Sequence, residues 1–283
     1  MSRWKDYWNK FRKSKTGLVG LGIIIFFILL AVLAPILPIT PPHATSLSAV
    51  DLPPSLKYPF GTNEVGENVL SLTIWGSRIS LIVGFVAAGV VILVGLIVGM
   101  VSGYVGGILD EALMRLTDFV LVIPSLVLVI VIGALFGTSL LNVILIIGFV
   151  SWPRTARIVR SMTLSIRELQ FVEAARSANG SGVYILFKHI LPNVISVVIA
   201  TGILSVSGAI FMQASMVFLG VGDLSDISWG QQISMAFTTG GIIDGYWWTS
   251  FFPGLFLVLL IVGFIFVSRP LEEIFNPRME VRR

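Results

Sequence analysis

The fold of this chain is decided by one polar stretch, residues 168–193, which read ELQFVEAARSANGSGVYILFKHILPN. Its first half is rich in helix formers and ends at Asn179-Gly180, a pair that favours a left-handed turn and stops a helix. Its second half is again helical in composition and runs to Pro192, where the next apolar run begins. The stretch therefore predicts a helix–turn–helix, with helices over 168–180 and 182–190, lying on one face of a membrane.

Apolar runs on both sides of this stretch place the rest of the chain in a membrane. Of the 283 residues, 55% are hydrophobic and 12% charged, about half the charged fraction of a soluble domain. A helical span needs roughly 20 apolar residues, and a backbone in lipid must satisfy its own hydrogen bonds. We predict an all-α membrane protein with six spans: Gly17–Leu37, Ile79–Val101, Leu116–Phe136, a short fourth at Leu140–Trp152 that Thr138 and Ser139 could complete, Val194–Val221 and Phe251–Ser268.

The basic residues orient these spans. Of the 19 Lys and Arg residues, 17 lie in the N-terminal segment, in the loops after spans two and four, and in the tail, while the other side has only Lys57 and Arg78. By the positive-inside rule, both termini and the loop Ser151–Asn193 are predicted to be cytoplasmic, and Gly222–Ser250 external. A net charge of +4 distributed in this way suits a membrane better than nucleic acid, which is not expected as a partner.

The polar stretch resembles the EAA loop of ABC-importer permeases, whose pattern is E-A-A-x3-G-x9-I-x-L-P. Asn179 stands at the family's Gly and His189 at its Ile. Asn tolerates a left-handed conformation better than most residues, so the turn is retained. The positions that match in place are Glu173, Ala174, Ala175, Leu191 and Pro192.

Other motifs resemble the C-type branch of dipeptide and oligopeptide permeases. The segment PFGTNEVG at 59–66 is similar to that branch's PFGTD-x-x-G, while Glu67-Asn68 and Ser268-Arg269 depart from its usual residues. The resemblance covers nearly the whole chain. It extends through GSRISL at 76–81, FLGVG at 218–222, SWG at 228–230 and NPR at 276–278.

This resemblance implies a type I ABC-importer permease fold in the inner membrane, with six transmembrane helices and a cytoplasmic coupling loop. It implies a second homologous permease subunit, two ABC ATPases that bind ATP and Mg, and an extracytoplasmic binding protein as partners. Peptides are the implied cargo, with oligosaccharide or nickel as alternatives. The predicted ATPase-coupling residues are Phe171, Glu173, Ala174, Ala175, Ala178, Asn179 and Gly180.

Span five is predicted to contribute to a translocation pathway. Its small and weakly polar residues fall on one helical face, which could line a water-filled path or pack against a partner subunit. We favour the pathway, because Ser and Thr need partners that lipid cannot give. The residues of this face are Thr201, Ser205, Gly208, Ala209, Met212, Ser215 and Met216.

Several features are expected to be architectural. Glycines of span two at four-residue spacing favour close helix packing, Pro124 predicts a kink, and Asp118 is expected to pair locally with Arg115. The aromatic cluster 246–252 is read as an interfacial belt first and as a docking surface second. His43 and His189 lack a second ligand nearby in sequence, so structural roles are expected.

The sequence contains no G-x4-G-K-[ST], H-E-x-x-H or G-x-S-x-G motif, so we expect no catalytic residue, cofactor or metal site in this chain. The alternatives are a secondary transporter or channel subunit, which should show repeats and membrane-embedded charges, a membrane enzyme, which needs a reactive cluster, and a structural subunit without a path.

The domain organisation follows from these assignments. We predict a cytoplasmic basic amphipathic segment at 1–16, the first helix with a Pro-rich external loop at 17–78, a five-helix core at 79–268 that includes the EAA loop 153–193, and a cytoplasmic tail at 269–283. In the first segment, Trp4, Trp8, Phe11 and Lys15 recur at helical spacing. This segment is either a helix in the membrane interface or a simple basic flank.

Overall fold

The structure is a computed structural model that describes residues 3–137, 139–222 and 226–275. Thr138, Asp223 and the tail from Asn276 to Arg283 lie outside these residues. The predictions placed on them, including the NPR motif and the basic end of the tail, therefore stay predictions.

The described residues form helices joined by short turns and by one long loop between the second and third helices, the loop predicted to be the first outer one. The helices are α1 (Arg3–Phe11), α2 (Lys15–Leu33), α3 (Val69–Val105), α4 (Gly107–Val122), α5 (Ser125–Phe136), α6 (Leu140–Arg167), α7 (Gln170–Ser177), α8 (Gly182–Ile185), α9 (Leu191–Phe218), α10 (Trp229–Thr238) and α11 (Trp248–Phe275). A π-helical turn, Leu186–Ile190, makes α8 continuous with α9.

Helix α3 is central because its glycines let two neighbours approach closely. Gly95, Gly99 and Gly103 lie one turn apart, and a Cβ added at each would lie 2.6–2.8 Å from atoms of α6. Gly84 faces Ile210 of α9 in the same way, with a Cβ contact of 2.6 Å. The packing role predicted for these small residues is confirmed.

The number of membrane crossings follows from the directions in which neighbouring helices run. Successive glycines of α3 contact Thr155 and then Thr163, so α3 and α6 run parallel. The intervening α4 and α5 must therefore return the chain, and Gly133 of α5 indeed packs on Val221, just beyond the outer end of α9. We count this pair as one broken span, bent by 91°. With it the helices make six crossings, as predicted.

The break lies where the sequence predicts a kink. Pro124 has φ −55° and ψ 120°, and Ile123 before it is extended. A residue that precedes Pro is pushed out of the helical region, which ends α4. The kink is confirmed, although it separates two helices instead of bending one.

Several helices extend beyond the predicted spans. Helix α3 begins at Val69, where the Asn68 side chain accepts from the Leu70 N–H at 3.0 Å, so position 79 lies inside a helix. Helix α6 runs through Pro153 to Arg167, so the polar loop does not begin at 153. Hydropathy cannot see this extension, because it depends on packing against the glycines of α3.

The two ends of the bundle bring together different segments of the chain. At one end, the first outer loop meets the start of α11: Phe60 stacks on Phe252 with ring centroids 3.9 Å apart, and Trp248 Nε1 donates to the Thr62 carbonyl at 3.0 Å. At the other end lie α1, the end of α11 and residues 168–190. Trp248 and Phe252 thus hold the outer loop, a role that neither the belt nor the docking interpretation included.

Candidate coupling surface and translocation face

The short helix α7 is anchored to the bundle by one side chain. Val172 is fully buried and packs in the cluster that contains Ile185 and Val194. Sequence reasoning did not identify Val172 as the buried residue of this helix, because helical spacing alone is equally compatible with a place on its exposed face. The anchor leaves the remaining faces of α7 free to present residues outward.

A Schellman turn ends α7 and sends the chain back toward the membrane. The Gly180 N–H donates to the Ala175 carbonyl and the Asn179 N–H to the Arg176 carbonyl, both at 3.0 Å. Asn179 takes the left-handed conformation, with φ +60°. This is the geometry that the turn requires at the position after the cap, so Asn replaces the family's Gly without changing the backbone.

Gly180 is required because there is no space for a side chain at this position. Its φ is not positive; Asn179 is the left-handed residue of this turn. A Cβ at Gly180 would lie 2.8 Å from the Ala175 carbonyl oxygen and 3.3 Å from the Tyr184 ring. The restriction at Gly180 therefore comes from close approach of the backbone and not from its φ.

The predicted coupling residues lie around an open depression of about 580 Å³. Ala174 and Ala178 are exposed, Ala175 is half-buried, and Phe171 is 43% exposed. Glu173 is also exposed, and its carboxylate contacts no cation among the described residues. The depression is lined by Phe171, Ala175, Ala178, Gly180, Tyr184 and His189.

The far wall of this depression was not foreseen. Tyr184 and His189 face each other edge-on with ring centroids 5.5 Å apart, and Phe171 lies 6.0 Å from His189. The helix through residues 182–190 therefore adds aromatic surface opposite the small residues of α7. The place of His189 between two rings fits the structural or interfacial role expected of it.

Two arginines, Arg167 at the end of α6 and Arg176 in α7, contact the end of α3. Arg167 Nη1 donates to the Gly103 carbonyl at 2.9 Å, and the Arg176 guanidinium lies 6.0 Å from the Tyr104 ring centre. Arg176 thus links α7 to the end of α3, and Arg167 links the end of α6 to the same place.

Ion pairs join the neighbouring helices at this end. Arg160 binds Asp110 through both carboxylate oxygens at 2.6 and 2.7 Å, and Arg157 binds Asp118 at 2.5 Å. The predicted local pair of Asp118 with Arg115 is wrong, since Arg115 instead lies 3.5 Å from Glu111. The extended α6 explains the error, because it brings Arg157 beside Asp118.

The residues predicted to form one face of span five differ in their exposure. Thr201, Ser205, Met212 and Ser215 are half-buried and Gly208 is exposed. Ala209 and Met216 are 3% and 0% exposed and pack inside the subunit against the cluster that includes Ile147. Their assignment to the open face is wrong, because α9 turns them toward α5 and α6.

The hydroxyl groups on this face already have partners. Ser205 Oγ donates to the Thr201 carbonyl at 3.1 Å, and Ser215 Oγ to the Phe211 carbonyl at 2.8 Å. Hydroxyls that bond to their own helix do not need water. The argument for a pathway therefore rests on the open space beside Gly208, where an added Cβ would meet nothing within 4 Å.

A second opening of about 570 Å³ lies between the outer loops. It is lined in part by Glu64, Glu67, His43 and Gln231. Burial, together with the charges of Asp51 and Glu67, raises the pKa of the Glu64 carboxyl above its usual value. His43 Nδ1 lies 3.5 Å from Glu67 Oε1. This acidic mouth exists only through contact between two loops that are distant in sequence, so motif and spacing arguments could not predict it.

The chain is similar to known membrane transport proteins. Residues 95–281 match the model of the binding-protein-dependent transport system inner membrane component, and residues 2–54 match the N-terminal TM domain of oligopeptide transport permease C. The chain is 35% identical to the dipeptide transport system permease protein DppC of Bacillus subtilis, over 99% of this chain and 87% of that protein.

Two further relatives extend the comparison. The oligopeptide transport system permease protein OppC of Bacillus subtilis is 34% identical, over 99% of this chain and 91% of its own length. The probable D,D-dipeptide transport system permease protein DdpC of Escherichia coli is 33% identical, over 90% and 85%. The resemblance predicted from the motifs is confirmed.

Proposed function

The chain belongs to the family of binding-protein-dependent transport system inner membrane components, and from that premise we propose that it forms half of the translocation pathway of an ATP-driven peptide importer. Members of this family are non-catalytic permease subunits. The observation that carries the proposal is the surface of α7, held by Val172 and open on its Ala174 side, at the opposite end from the acidic mouth.

The partners follow from this assignment. A second homologous permease completes the pathway, and a binding protein delivers cargo at the outer loops. Of the two ATPases that bind ATP and Mg, one docks at the depression beside α7 and the other at the corresponding surface of the second permease. Peptide cargo is supported by the names of the relatives, which are dipeptide, oligopeptide and D,D-dipeptide permeases. Oligosaccharide or nickel transport has no comparable support.

Uptake by the reconstituted system tests this function. The chain is co-purified with the permease, ATPases and binding protein of the adjacent reading frames, and the complex is placed in proteoliposomes. We expect uptake of a radiolabelled peptide that depends on both ATP and the binding protein. Uptake without ATP, driven by an ion gradient, would instead identify a secondary transporter.

Orientation is a separate prediction. The end of the bundle that carries α1 and α7 should be cytoplasmic, because the predicted topology assigns 17 of the 19 basic residues to that side of the membrane. The chain has no Cys, so single Cys substitutions report directly. A membrane-impermeant maleimide should label Asp244→Cys in intact spheroplasts and Ser177→Cys only after permeabilisation. The reverse pattern would overturn the orientation.

A further inference from the structure

The first helix, α1, is held at the boundary where the chain enters the membrane. Only residues 12–14 separate it from α2, whose first turn is capped by Ser14 Oγ accepting from the Gly17 N–H at 3.1 Å. The Phe11 ring is 4% exposed and lies against Gly17, where an added Cβ would come within 3.0 Å of it. Helix α1 is thus fixed beside the start of a span.

A second contact fixes the other side of α1. The Tyr7 ring meets the Phe275 ring edge-on, with centroids 4.9 Å apart, at the end of α11. The contact of Phe11 with α2 and that of Tyr7 with α11 together fix where α1 lies along the bundle axis and in which direction it runs. Its apolar side is therefore directed toward the bundle, with Trp8, 50% exposed, stacked beside Phe11 at 5.9 Å.

The outward side of α1 and of the turn after it is basic. The side chains concerned are exposed, and Asp6 is the one acid among residues 3–16. No ion pair within the described residues neutralises these cations. They are Lys5, Lys10, Arg12, Lys13 and Lys15.

We propose that α1 and the turn after it form a binding surface for the headgroups of anionic phospholipids in the adjoining leaflet. The surface has the two features of an interfacial helix: an exposed indole at the boundary and a row of cations at headgroup height. Basic residues near an anionic surface each favour binding by about fivefold. The lipid would hold α1 in place and, through Phe11 and Tyr7, the ends of α2 and α11.

A lipid is a better occupant than the ATPase. Phe11 packs in the hydrophobic cluster that α2 and α11 form together with α3, α9 and α10, whereas Val172 of the coupling segment packs in a separate cluster, with α3, α6 and α9. The two surfaces therefore belong to separate parts of the bundle. Helix α1 also lies directly beside the first turn of α2, an apolar helix of 19 residues of which 28% is buried inside the subunit.

Electron paramagnetic resonance with spin-labelled lipids tests the proposal on the full chain. Vesicles of phosphatidylcholine receive spin-labelled phosphatidylglycerol or phosphatidylcholine, and the motionally restricted fraction gives the relative association constant. We expect the triple variant Lys5→Gln, Lys10→Gln, Lys13→Gln to lower the selectivity for phosphatidylglycerol by about fivefold or more. The charge-preserving variant with Arg at the same three positions should keep it.

A matched control separates a local surface from overall charge. The variant Lys57→Gln, Arg78→Gln removes cations at the other end of the bundle, and it should leave the selectivity unchanged. The proposal would be overturned if the triple Gln variant kept its selectivity for phosphatidylglycerol, or if the control variant lost as much of that selectivity as the triple Gln variant. In the assembled complex, a photo-crosslinker at Asn9→Cys should react with phospholipid, and reaction mainly with an ATPase subunit would also overturn it.

Discussion

Replacing Gly208 by Trp is expected to abolish transport while the complex still assembles. Gly208 is exposed on α9, and an added Cβ would meet no atom within 4 Å, so the subunit itself can accommodate the substitution. An indole brings about 150–250 Å² of surface into the space beside α9. Because passage depends on the width of the path, uptake should fall by about an order of magnitude or more.

The control for this variant is Gly22→Trp. Gly22 is likewise exposed in an apolar helix with no atom near an added Cβ, but it lies on the peripheral α2. Its uptake should stay normal, and both variants should yield intact complex on size-exclusion chromatography. Normal uptake by Gly208→Trp would show that this face is not the pathway. Loss of the complex in that variant alone would instead place Gly208 at a subunit interface.

The second large effect is expected at α7. Ala174 is exposed, so Ala174→Trp should leave the chain folded and inserted. If α7 docks in a groove of the ATPase, the indole prevents the close approach that an alanine permits. Truncation of a hot-spot residue costs at least about 2 kcal/mol, or roughly thirtyfold in affinity, and blocking the close approach of α7 should cost a comparable amount. We therefore expect the ATPases to be lost on purification and substrate-stimulated ATP hydrolysis to disappear.

Ala112→Trp is the matched control for docking, because Ala112 is also exposed and lies on α4, toward the same end of the bundle. It should retain the ATPases and their stimulation. Glu173→Ala should give a smaller defect, since its carboxylate could meet one cation on the partner. Full ATPase retention and stimulation with Trp at position 174 would mean that α7 is not the coupling element.

Local chemistry made much of this arrangement predictable. The Asn179 turn follows from the tolerance of Asn for positive φ, and the close packing of α3 follows from glycines at four-residue spacing. The break at Pro124 follows from the restriction that Pro places on the residue before it.

What escaped prediction depends on contacts between distant residues. Arg157 reaches Asp118 only because α6 continues past Pro153, and that extension requires the glycines of α3. Ala209 shares the helical spacing of the open face, yet α9 is rotated so that it packs inside. Periodicity gives the faces of a helix but not the direction in which each face points.

The break between α4 and α5 has a consequence for the life of the chain in the cell. Peptide groups at residues 122–125 leave the helical ladder in the middle of a span, where Val122 is 81% exposed. Each such group left unpaired in lipid costs several kcal/mol, so a subunit without its neighbour carries a destabilised segment. If a neighbouring subunit covers this segment, membrane proteases that survey newly inserted proteins would reach it more readily in orphan copies than in assembled ones. The bend would thereby match the amount of this subunit to that of its partners, through selective turnover of the excess.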